Sequence, residues 1–286
     1  MSRNPHRNRV DFEVQGVRVP SLLYGTAWKE ERTAELTRLA LTIGFVGIDT
    51  ANQRKHYVEA AVGEGIAAAD VSRGQLFLQT KFTDLAGHDQ RVPYDPAAPL
   101  ATQVQQSFTS SLSHLGVDRI DAYVLHGPVS RHGWTRADRQ VWHAMEALHD
   151  GGGVRLLGVS NVSREQLVIL CNEAIVTPAV VQNRCYARTG WDREVRAVCR
   201  DRGILYEGFS LLTANERELR DPAISSMARR VHATIPQLVF RFANAIGIVA
   251  LTGTSNRTHM QQDLTAGEIA LEPEDVVTIE NLAGRQ

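Results

Sequence analysis

Short apolar runs alternate with longer amphipathic segments along almost the whole chain. Eight of these runs have the length and composition of buried strands. They are SLLYG (21–25), FVGID (45–49), LFLQTK (76–81), DAYVLH (121–126), VRLLGVS (154–160), AVVQN (179–183), ILYEGFS (204–210) and IVALTG (248–253). Strands that alternate with helices form a parallel sheet covered by helices, and eight is the number of strands that closes a barrel. The sequence therefore predicts an α/β fold, a (β/α)8 TIM barrel.

Two further patterns flank the eight strand–helix units. Residues 10–20 (VDFEVQGVRVP) alternate around Gly16, which predicts an N-terminal β-hairpin that plugs the barrel floor. Residues 273–284 (PEDVVTIENLAG) predict an extra C-terminal helix. Because no break in composition divides the chain, we expect residues 1–286 to form a single domain, with residues 1–9 as a flexible leader.

The charges nearly cancel, with 31 Lys and Arg against 32 Asp and Glu and a net charge of −1. This balance gives no field that favours nucleic acid or an anionic membrane. No stretch approaches the ~20 apolar residues that cross a bilayer. The 3 cysteines include no C-x-x-C pair, which argues against a zinc site. We therefore expect a cytoplasmic protein without nucleic-acid or membrane partners; the sequence does not indicate an oligomeric state.

Polar side chains stand at the ends of three predicted strands. Asp49 ends FVGID, Lys81 ends LFLQTK and His126 ends DAYVLH, while Tyr57 lies in the loop after the first of these. Polar residues at the carboxyl ends of barrel strands face the active site. A carboxylate, a phenol, an ammonium group and an imidazole at one mouth indicate proton transfer to or from an oxygen atom.

Two glycine patterns could be taken for phosphate loops. Gly63-x-Gly65-x-x-Ala68 matches a dinucleotide fingerprint, but it lies inside a predicted helix rather than at a strand-to-helix turn, so we reject it. The segment LTGTSN (251–256) follows the eighth strand and leads into a short helix. A glycine-rich turn at that place in a barrel is suited to binding phosphate.

Several of these segments, taken together, resemble the aldo-keto reductase family. The matching segments are Gly25-Thr26, GIDTA (47–51), LFLQTK, DAYVLHGP, GVSN (158–161), VVQN (180–183), GFSLL (208–212) and LTGTSNRTHM (251–260). They follow one another in the family's order and extend over about residues 10–283. The resemblance implies a (β/α)8 barrel that reduces a small carbonyl substrate with a nicotinamide dinucleotide and without a metal.

The resemblance also implies roles for the four polar residues at the mouth. Tyr57 would be the general acid that protonates the carbonyl oxygen, and Lys81 would lower its pKa from the usual value of about 10. Asp49 would hold Lys81 in place and keep it charged. His126 would orient the substrate oxygen through a hydrogen bond.

The sequence leaves open whether Tyr57 or the preceding residue, His56, is the general acid. The family usually has about five residues from the aspartate to the tyrosine, whereas Tyr57 lies eight residues after Asp49. Counting back from Glu59 and Gly63 places His56 in the tyrosine's position instead. We prefer Tyr57 because a loop can bulge and an imidazole is a poorer match to the phenol's role.

The resemblance further implies which residues bind the cofactor. Ser160, Asn161 and Gln182 would bind the nicotinamide carboxamide, and Phe209 would stack on its ring. The rest of the predicted cofactor site comprises Gly25, Thr26, Asp49, Ser210, Leu211, Leu212, Gly253, Thr254, Ser255, Arg257 and His259. Many members of the family have a lysine and an arginine around the 2′-phosphate of the cofactor. In this chain the lysine is missing and His259 stands in the position of the arginine, although Arg257 could substitute for it. We expect NADPH, with NADH as an alternative.

Function and substrate leave alternatives open. A nicotinamide-dinucleotide-binding sensor or regulatory barrel with little turnover is the alternative to a reductase, favoured by the long spacing from Asp49 to Tyr57. A metal-dependent hydrolase that uses Asp49, His56 and His126 is a third interpretation. Trp28, Phe82 and Trp134 are predicted walls of the substrate pocket, since aromatic faces suit a mostly apolar site. The physiological substrate cannot be predicted.

Overall fold

The computed structural model describes residues 11–285, and the predicted leader (1–9) lies outside them. Eight parallel strands form a closed barrel, in which β3 lies between β4 and β10. The strands are β3 (Leu22–Gly25), β4 (Gly47–Asp49), β5 (Phe77–Phe82), β6 (Ile120–Leu125), β7 (Val154–Ser160), β8 (Val180–Arg184), β9 (Leu205–Phe209) and β10 (Ile248–Thr252). All eight predicted strands are confirmed to within a few residues.

Helices cover the outside of the barrel. They are α1 (Thr33–Ile43), α2 (Glu59–Ala67), α3 (Leu100–Leu115), α4 (Arg136–Asp150), α5 (Arg164–Glu173), α6 (Arg193–Arg202), α7 (Pro222–Arg230), α8 (Ile235–Ala245), α9 (Arg257–Leu264) and α10 (Pro273–Glu280). The predicted extra helix is confirmed as α10. Within residues 11–285, no helix combines the length and apolar character that crossing a bilayer requires.

The predicted hairpin is confirmed as β1 (Asp11–Val14) and β2 (Val17–Pro20), which pair antiparallel. Its turn needs Gly16, whose φ of 73° lies in the left-handed region that glycine adopts without a steric penalty. Val14, Val17 and Val19 pack in one buried cluster with Phe77 and Leu205, which begin β5 and β9. The hairpin therefore closes the amino-terminal end of the barrel and leaves the carboxyl-terminal end open.

Both glycines of the rejected dinucleotide pattern lie within α2, and Ala68 is its C-cap, so the pattern is part of a helix as predicted. Its glycines serve close packing of helices. A Cβ atom on Gly63 would lie 2.0 Å from the carbonyl oxygen of His114 on α3, and one on Gly65 would lie 2.6 Å from the carbonyl oxygen of Ala34 on α1. Both positions therefore require glycine for reasons that have nothing to do with phosphate.

Candidate active site

A buried ion pair lies at the open end of the barrel. Asp49 is the last residue of β4, and Lys81 is the last but one of the neighbouring β5. The Lys81 Nζ atom lies 2.6 Å from Asp49 Oδ1 and donates a second hydrogen bond, 2.8 Å long, to the Thr50 carbonyl. Burial is the largest single effect on the pKa of Lys81 and lowers it, but the attraction of Asp49 and its hydrogen bond, with smaller contributions from Tyr57 and Glu207, together shift it upward. The amine is therefore held as an ammonium ion.

Tyr57 and His56 both line the cavity at the barrel mouth but contact different groups. The Lys81 Nζ atom lies 5.5 Å from the centre of the Tyr57 ring, and that ring meets His126 edge to face with 5.9 Å between centres. The His56 ring instead packs on Trp28, with 4.0 Å between centres. Burial raises the pKa of Tyr57, while the Lys81 ammonium acts in the opposite direction. The phenol, and not the neighbouring imidazole, lies beside the ion pair.

His126 follows β6 directly and completes this group. Its Nδ1 atom lies 2.7 Å from the Thr83 hydroxyl. Burial, together with the charge of Lys81, lowers the pKa of His126 to about 3, which keeps the imidazole neutral. In the tautomer in which Thr83 donates to Nδ1, the remaining ring proton is on Nε2. That N–H can donate a hydrogen bond to a substrate oxygen.

Below the ion pair, two buried amides join two carboxyl groups. The Nε2 atoms of Gln79 and Gln182 both donate to Asp49 Oδ1, over 2.8 and 2.9 Å. The same nitrogens donate to Oε2 of Glu207, over 2.7 and 2.8 Å. We call Asp49, Gln79, Gln182 and Glu207 the amide–carboxyl ring. Because both protons of each amide nitrogen are used in it, Gln182 has only its oxygen left for a ligand.

A cavity of about 880 Å³ opens beside this group. It falls within the range of roughly 300–1,000 Å³ that is usual for ligand and cofactor sites. The predicted site residues that line it are Gly25, Trp28, Asp49, Tyr57, His126, Ser160, Asn161, Gln182, Phe209, Ser210, Leu211, Leu212, Gly253, Thr254 and His259. Lys81 lies below the cavity surface and is 1% exposed. The structure thus brings most of the predicted site together around one opening.

Three predicted cofactor residues do not line the cavity: Thr26, Ser255 and Arg257. Thr26 is buried, and its hydroxyl donates to the Asp49 carbonyl over 3.0 Å, so it supports the strand end. Ser255 and Arg257 belong to the turn after β10 and to the start of α9. Two backbone amides of this helix start are capped by Asn256, whose Oδ1 lies 2.8 Å from the Thr258 nitrogen and 3.2 Å from the His259 nitrogen.

Of the three aromatic residues that were predicted to line the substrate pocket, two lie elsewhere. Trp28 lines the cavity and is 67% exposed, whereas Phe82 and Trp134 are buried in the core and line no part of it. Side chains alternate along a strand, so Phe82 points outward where Lys81 points inward, and it stacks on Tyr94 with 5.7 Å between centres. Trp134 directly precedes Thr135, the N-cap of α4, and packs in the core there.

Sequence reasoning missed several residues of the site. Lys29 lines the cavity and its ammonium donates to the Gly253 carbonyl, a contact that depends on β3 lying beside β10. Arg184, at the end of β8, lines the cavity with its guanidinium carbon 5.6 Å from the centre of the Phe209 ring. Gln79 and Glu207 lie in the barrel interior. The only sequence signal for Glu207 was an acidic residue within the apolar run ILYEGFS, since acidic side chains are rarely fully buried.

Comparison with known proteins matches nearly the whole chain to one family. The model of the aldo/keto reductase family matches residues 23–283. An aldo-keto reductase of Mycolicibacterium vanbaalenii is 29% identical over 92% of this chain and 88% of its own length. Morphine 6-dehydrogenase of Pseudomonas putida is 28% identical over 93% and 88%. The crystal structure of an aldo/keto reductase from Brucella melitensis, 24% identical, covers 96% of this chain and 99% of its own with a TM-score of 0.83.

The barrel, its cavity and these matches define an oxidoreductase class, the NAD(P)H-dependent carbonyl reductases. Within that class, the chain belongs to the aldo/keto reductase family, because the family model covers nearly all of it. The resemblance noted from the sequence is thereby confirmed.

Proposed function

We propose that this protein reduces an aldehyde or ketone to an alcohol with NADPH, and that Tyr57 is the general acid. The observation that carries the proposal is that the Tyr57 ring contacts two groups: its centre lies 5.5 Å from the Lys81 Nζ atom, and it meets His126 edge to face. A phenol beside an ammonium ion and a neutral imidazole is equipped to give a proton to an oxygen atom.

The chemistry divides between cofactor and protein. A bound reduced nicotinamide supplies the hydride that adds to the carbonyl carbon. His126 holds the carbonyl oxygen through its ring N–H. Tyr57 transfers its hydroxyl proton to that oxygen as negative charge develops there. Lys81 stabilises the phenolate that remains, and Asp49 keeps Lys81 charged and in place.

The residues present are suited to a dinucleotide. With their amide nitrogens already bonded to protein groups, Gln182 and Asn161 each have a carbonyl oxygen left to accept from the nicotinamide carboxamide. Asn161 and Ser210, both at strand ends on the cavity, have φ angles of 54° and 57°. Non-glycine residues rarely adopt this left-handed region, and such strain is concentrated at binding sites.

NADPH is proposed over NADH on two grounds. His259 and Lys29 place basic side chains on the cavity near Gly253 and Thr254. In addition, a silkworm aldo-keto reductase of the same fold was solved in complex with NADPH, at 24% identity and a TM-score of 0.81. An indole-3-acetaldehyde reductase of Schizosaccharomyces pombe, 26% identical over 90% of this chain, is named as NAD/NADP-dependent.

The two alternatives have less support. The sensor hypothesis rested on the long spacing between Asp49 and Tyr57, yet the intervening loop still carries the Tyr57 ring to Lys81. The hydrolase hypothesis needed His56 beside Asp49 and His126, but the His56 ring packs on Trp28. Across residues 11–285, no group of three or more His, Cys, Asp or Glu side chains is placed to hold a metal ion.

The test is steady-state oxidation of NADPH with a panel of small aldehydes and ketones, combined with direct measurement of NADPH binding. We expect turnover with at least part of the panel. Tight NADPH binding with no turnover on any carbonyl would favour the sensor, and failure to bind either dinucleotide would contradict both.

A further inference from the structure

The amide–carboxyl ring links the ion pair to a second acid. Asp49 Oδ1 accepts from Lys81 and from both amide nitrogens, while Glu207 Oε2 accepts from the same two nitrogens on the other side. Each amide therefore spans the two carboxyl groups. A change at Glu207 therefore reaches Asp49 along two paths, one through Gln79 and one through Gln182, and each path consists of two hydrogen bonds.

Glu207 is entirely removed from solvent, with an exposed fraction of 0%. Its second oxygen, Oε1, has no hydrogen-bond partner among the described residues, and neither has Oε1 of Gln79. A fully buried oxygen that no donor reaches is costlier in a charged carboxylate than in a neutral carboxylic acid, because only the carboxylate has a charge to solvate. The geometry thus favours a proton on Glu207.

The charges around Glu207 point the same way. The charged groups that act on it are Asp49 on β4, which repels a negative charge, and Lys81 on β5, which attracts it. Gln79 and Gln182 carry no charge, but the hydrogen bonds they donate to Glu207 favour its ionised form and lower its pKa. Burial first, and then Asp49, raise the pKa of Glu207 to about 7. One ammonium ion cannot neutralise two carboxylates, so ionisation of Glu207 leaves the barrel interior with a net negative charge.

We propose that Glu207 is a positioning residue with a second role: through Gln79 and Gln182 it holds Asp49 against Lys81, and its own proton controls the acid strength of Tyr57. The inference rests on the proposed function of Tyr57. With Glu207 neutral, Asp49 and Lys81 cancel and the phenol gives up its proton more readily. With Glu207 ionised, the added negative charge opposes formation of the phenolate.

The first experiment is a pH profile of kcat for carbonyl reduction. In the wild type we expect kcat to fall as the pH rises through about 7, the pKa of Glu207. The amide of Glu207→Gln keeps the shape and cannot ionise, so this fall should disappear while KM changes less than about twofold. A fall near pH 7 that persists unchanged in Glu207→Gln overturns the proposal.

The matched control is Glu146→Gln. Glu146 is a buried carboxylate outside the site, on α4, that accepts from the backbone nitrogens of Ile175 and Val176 over 2.8 and 2.9 Å. It is expected to keep the wild-type profile. If the control profile changes in the same way, the effect of Glu207→Gln reflects loss of any buried acid and the proposal is wrong.

A second measurement needs neither turnover nor a folded Glu207 variant. In wild-type protein labelled with 13C, the side-chain carboxyl of Glu207, assigned through its own backbone, is titrated by NMR. A midpoint near 7 is expected, moving up by about one pH unit in Lys81→Met because the attracting cation is lost. A carboxyl that stays ionised from pH 5 to 9 overturns the proposal. If the protein binds NADPH but turns over no carbonyl, the titration still tests Glu207, whereas the proposed function fails.

Discussion

The ammonium group of Lys81 lies 2.6 Å from the carboxylate of Asp49, and the two side chains are only 1% and 4% exposed. A buried ion pair is costly to break from one side, because the remaining charge is left without a partner. The pair therefore has two roles. It holds in place the cation that acts on Tyr57, and it joins the carboxyl ends of two neighbouring strands.

Asp49→Asn should lower the free energy of unfolding by about 3–5 kcal/mol, the usual cost of stranding a buried charge. Urea unfolding at neutral pH measures it. The control is Glu35→Gln, which breaks an exposed pair with Arg32 whose side chains are 57% and 50% exposed. That change should cost less than about 1 kcal/mol. Similar losses in both variants would contradict a dominant role for burial.

Tyr57→Phe should reduce kcat for carbonyl reduction by roughly 10²–10⁴-fold, the usual contribution of a general acid, with little change in NADPH affinity. His56→Ala should retain most of kcat, because its ring packs on Trp28 and not on the ion pair. Single-turnover kinetics with both variants decide between them. Full activity in Tyr57→Phe would overturn the assignment.

His126 should make the protein less stable in acid. Its native pKa is lowered from 6.5 to about 3, so the unfolded chain binds a proton that the folded one does not. The stability that depends on neutral His126 is therefore complete above pH 6.5 and is lost as the pH falls towards 3. As the pH falls below 6.5, the free energy of unfolding of the wild type should drop relative to that of His126→Gln by at most about 1.4 kcal/mol per pH unit. Parallel unfolding curves between pH 4 and 8 would contradict this.

Gly63→Ala should lower stability without changing cofactor binding by the folded protein. The new Cβ would lie 2.0 Å from the His114 carbonyl oxygen, and overpacking of this kind costs about 1–3 kcal/mol or more. Gly74→Ala is the control, since nothing lies within 4 Å of a Cβ there. Thermal unfolding and NADPH titration are measured together. A loss of NADPH affinity in folded Gly63→Ala would revive the rejected dinucleotide pattern.

Cofactor preference should depend on His259 more than on Arg257, because only His259 lines the cavity. Fluorescence titration should show that the wild type binds NADPH more tightly than NADH. His259→Ala should weaken NADPH by roughly tenfold, the value of one hydrogen bond to a charged group, and leave NADH nearly unchanged. Selective loss of NADPH in Arg257→Ala would assign the 2′-phosphate to Arg257 instead. Equal affinity of the wild type for both cofactors would count against any 2′-phosphate site.

Much of the fold could be predicted because its signals are local. The period of the apolar residues identified the strands, and Gly16 identified the hairpin turn. Ser163 and Gln166 are a further local signal, since they form the capping box with which α5 begins. Asp49, Lys81 and His126 could be predicted as mouth residues because the carboxyl ends of parallel strands meet at one end of a barrel.

The errors arose where a side chain's direction or a distant neighbour matters. Phe82 follows an inward-facing lysine on the same strand. Because side chains alternate along a strand, Phe82 points out of the barrel and is buried in the core. Lys29 reaches Gly253, which is 224 positions away, only because the first and last barrel strands are neighbours. No local pattern reports that contact.

By itself, the sequence determined the alternation of strands and helices and the residue types at the strand ends, because hydrophobic period and chain order are properties of consecutive residues. Tertiary structure alone decided that Tyr57 rather than His56 lies beside Lys81, and that Gln79, Gln182 and Glu207 meet around Asp49. Closure of the barrel brings residues of four separate strands together in one buried interior. The hydrogen bonds and charges there join residues that are far apart in the sequence, so no pattern of consecutive residues predicts them.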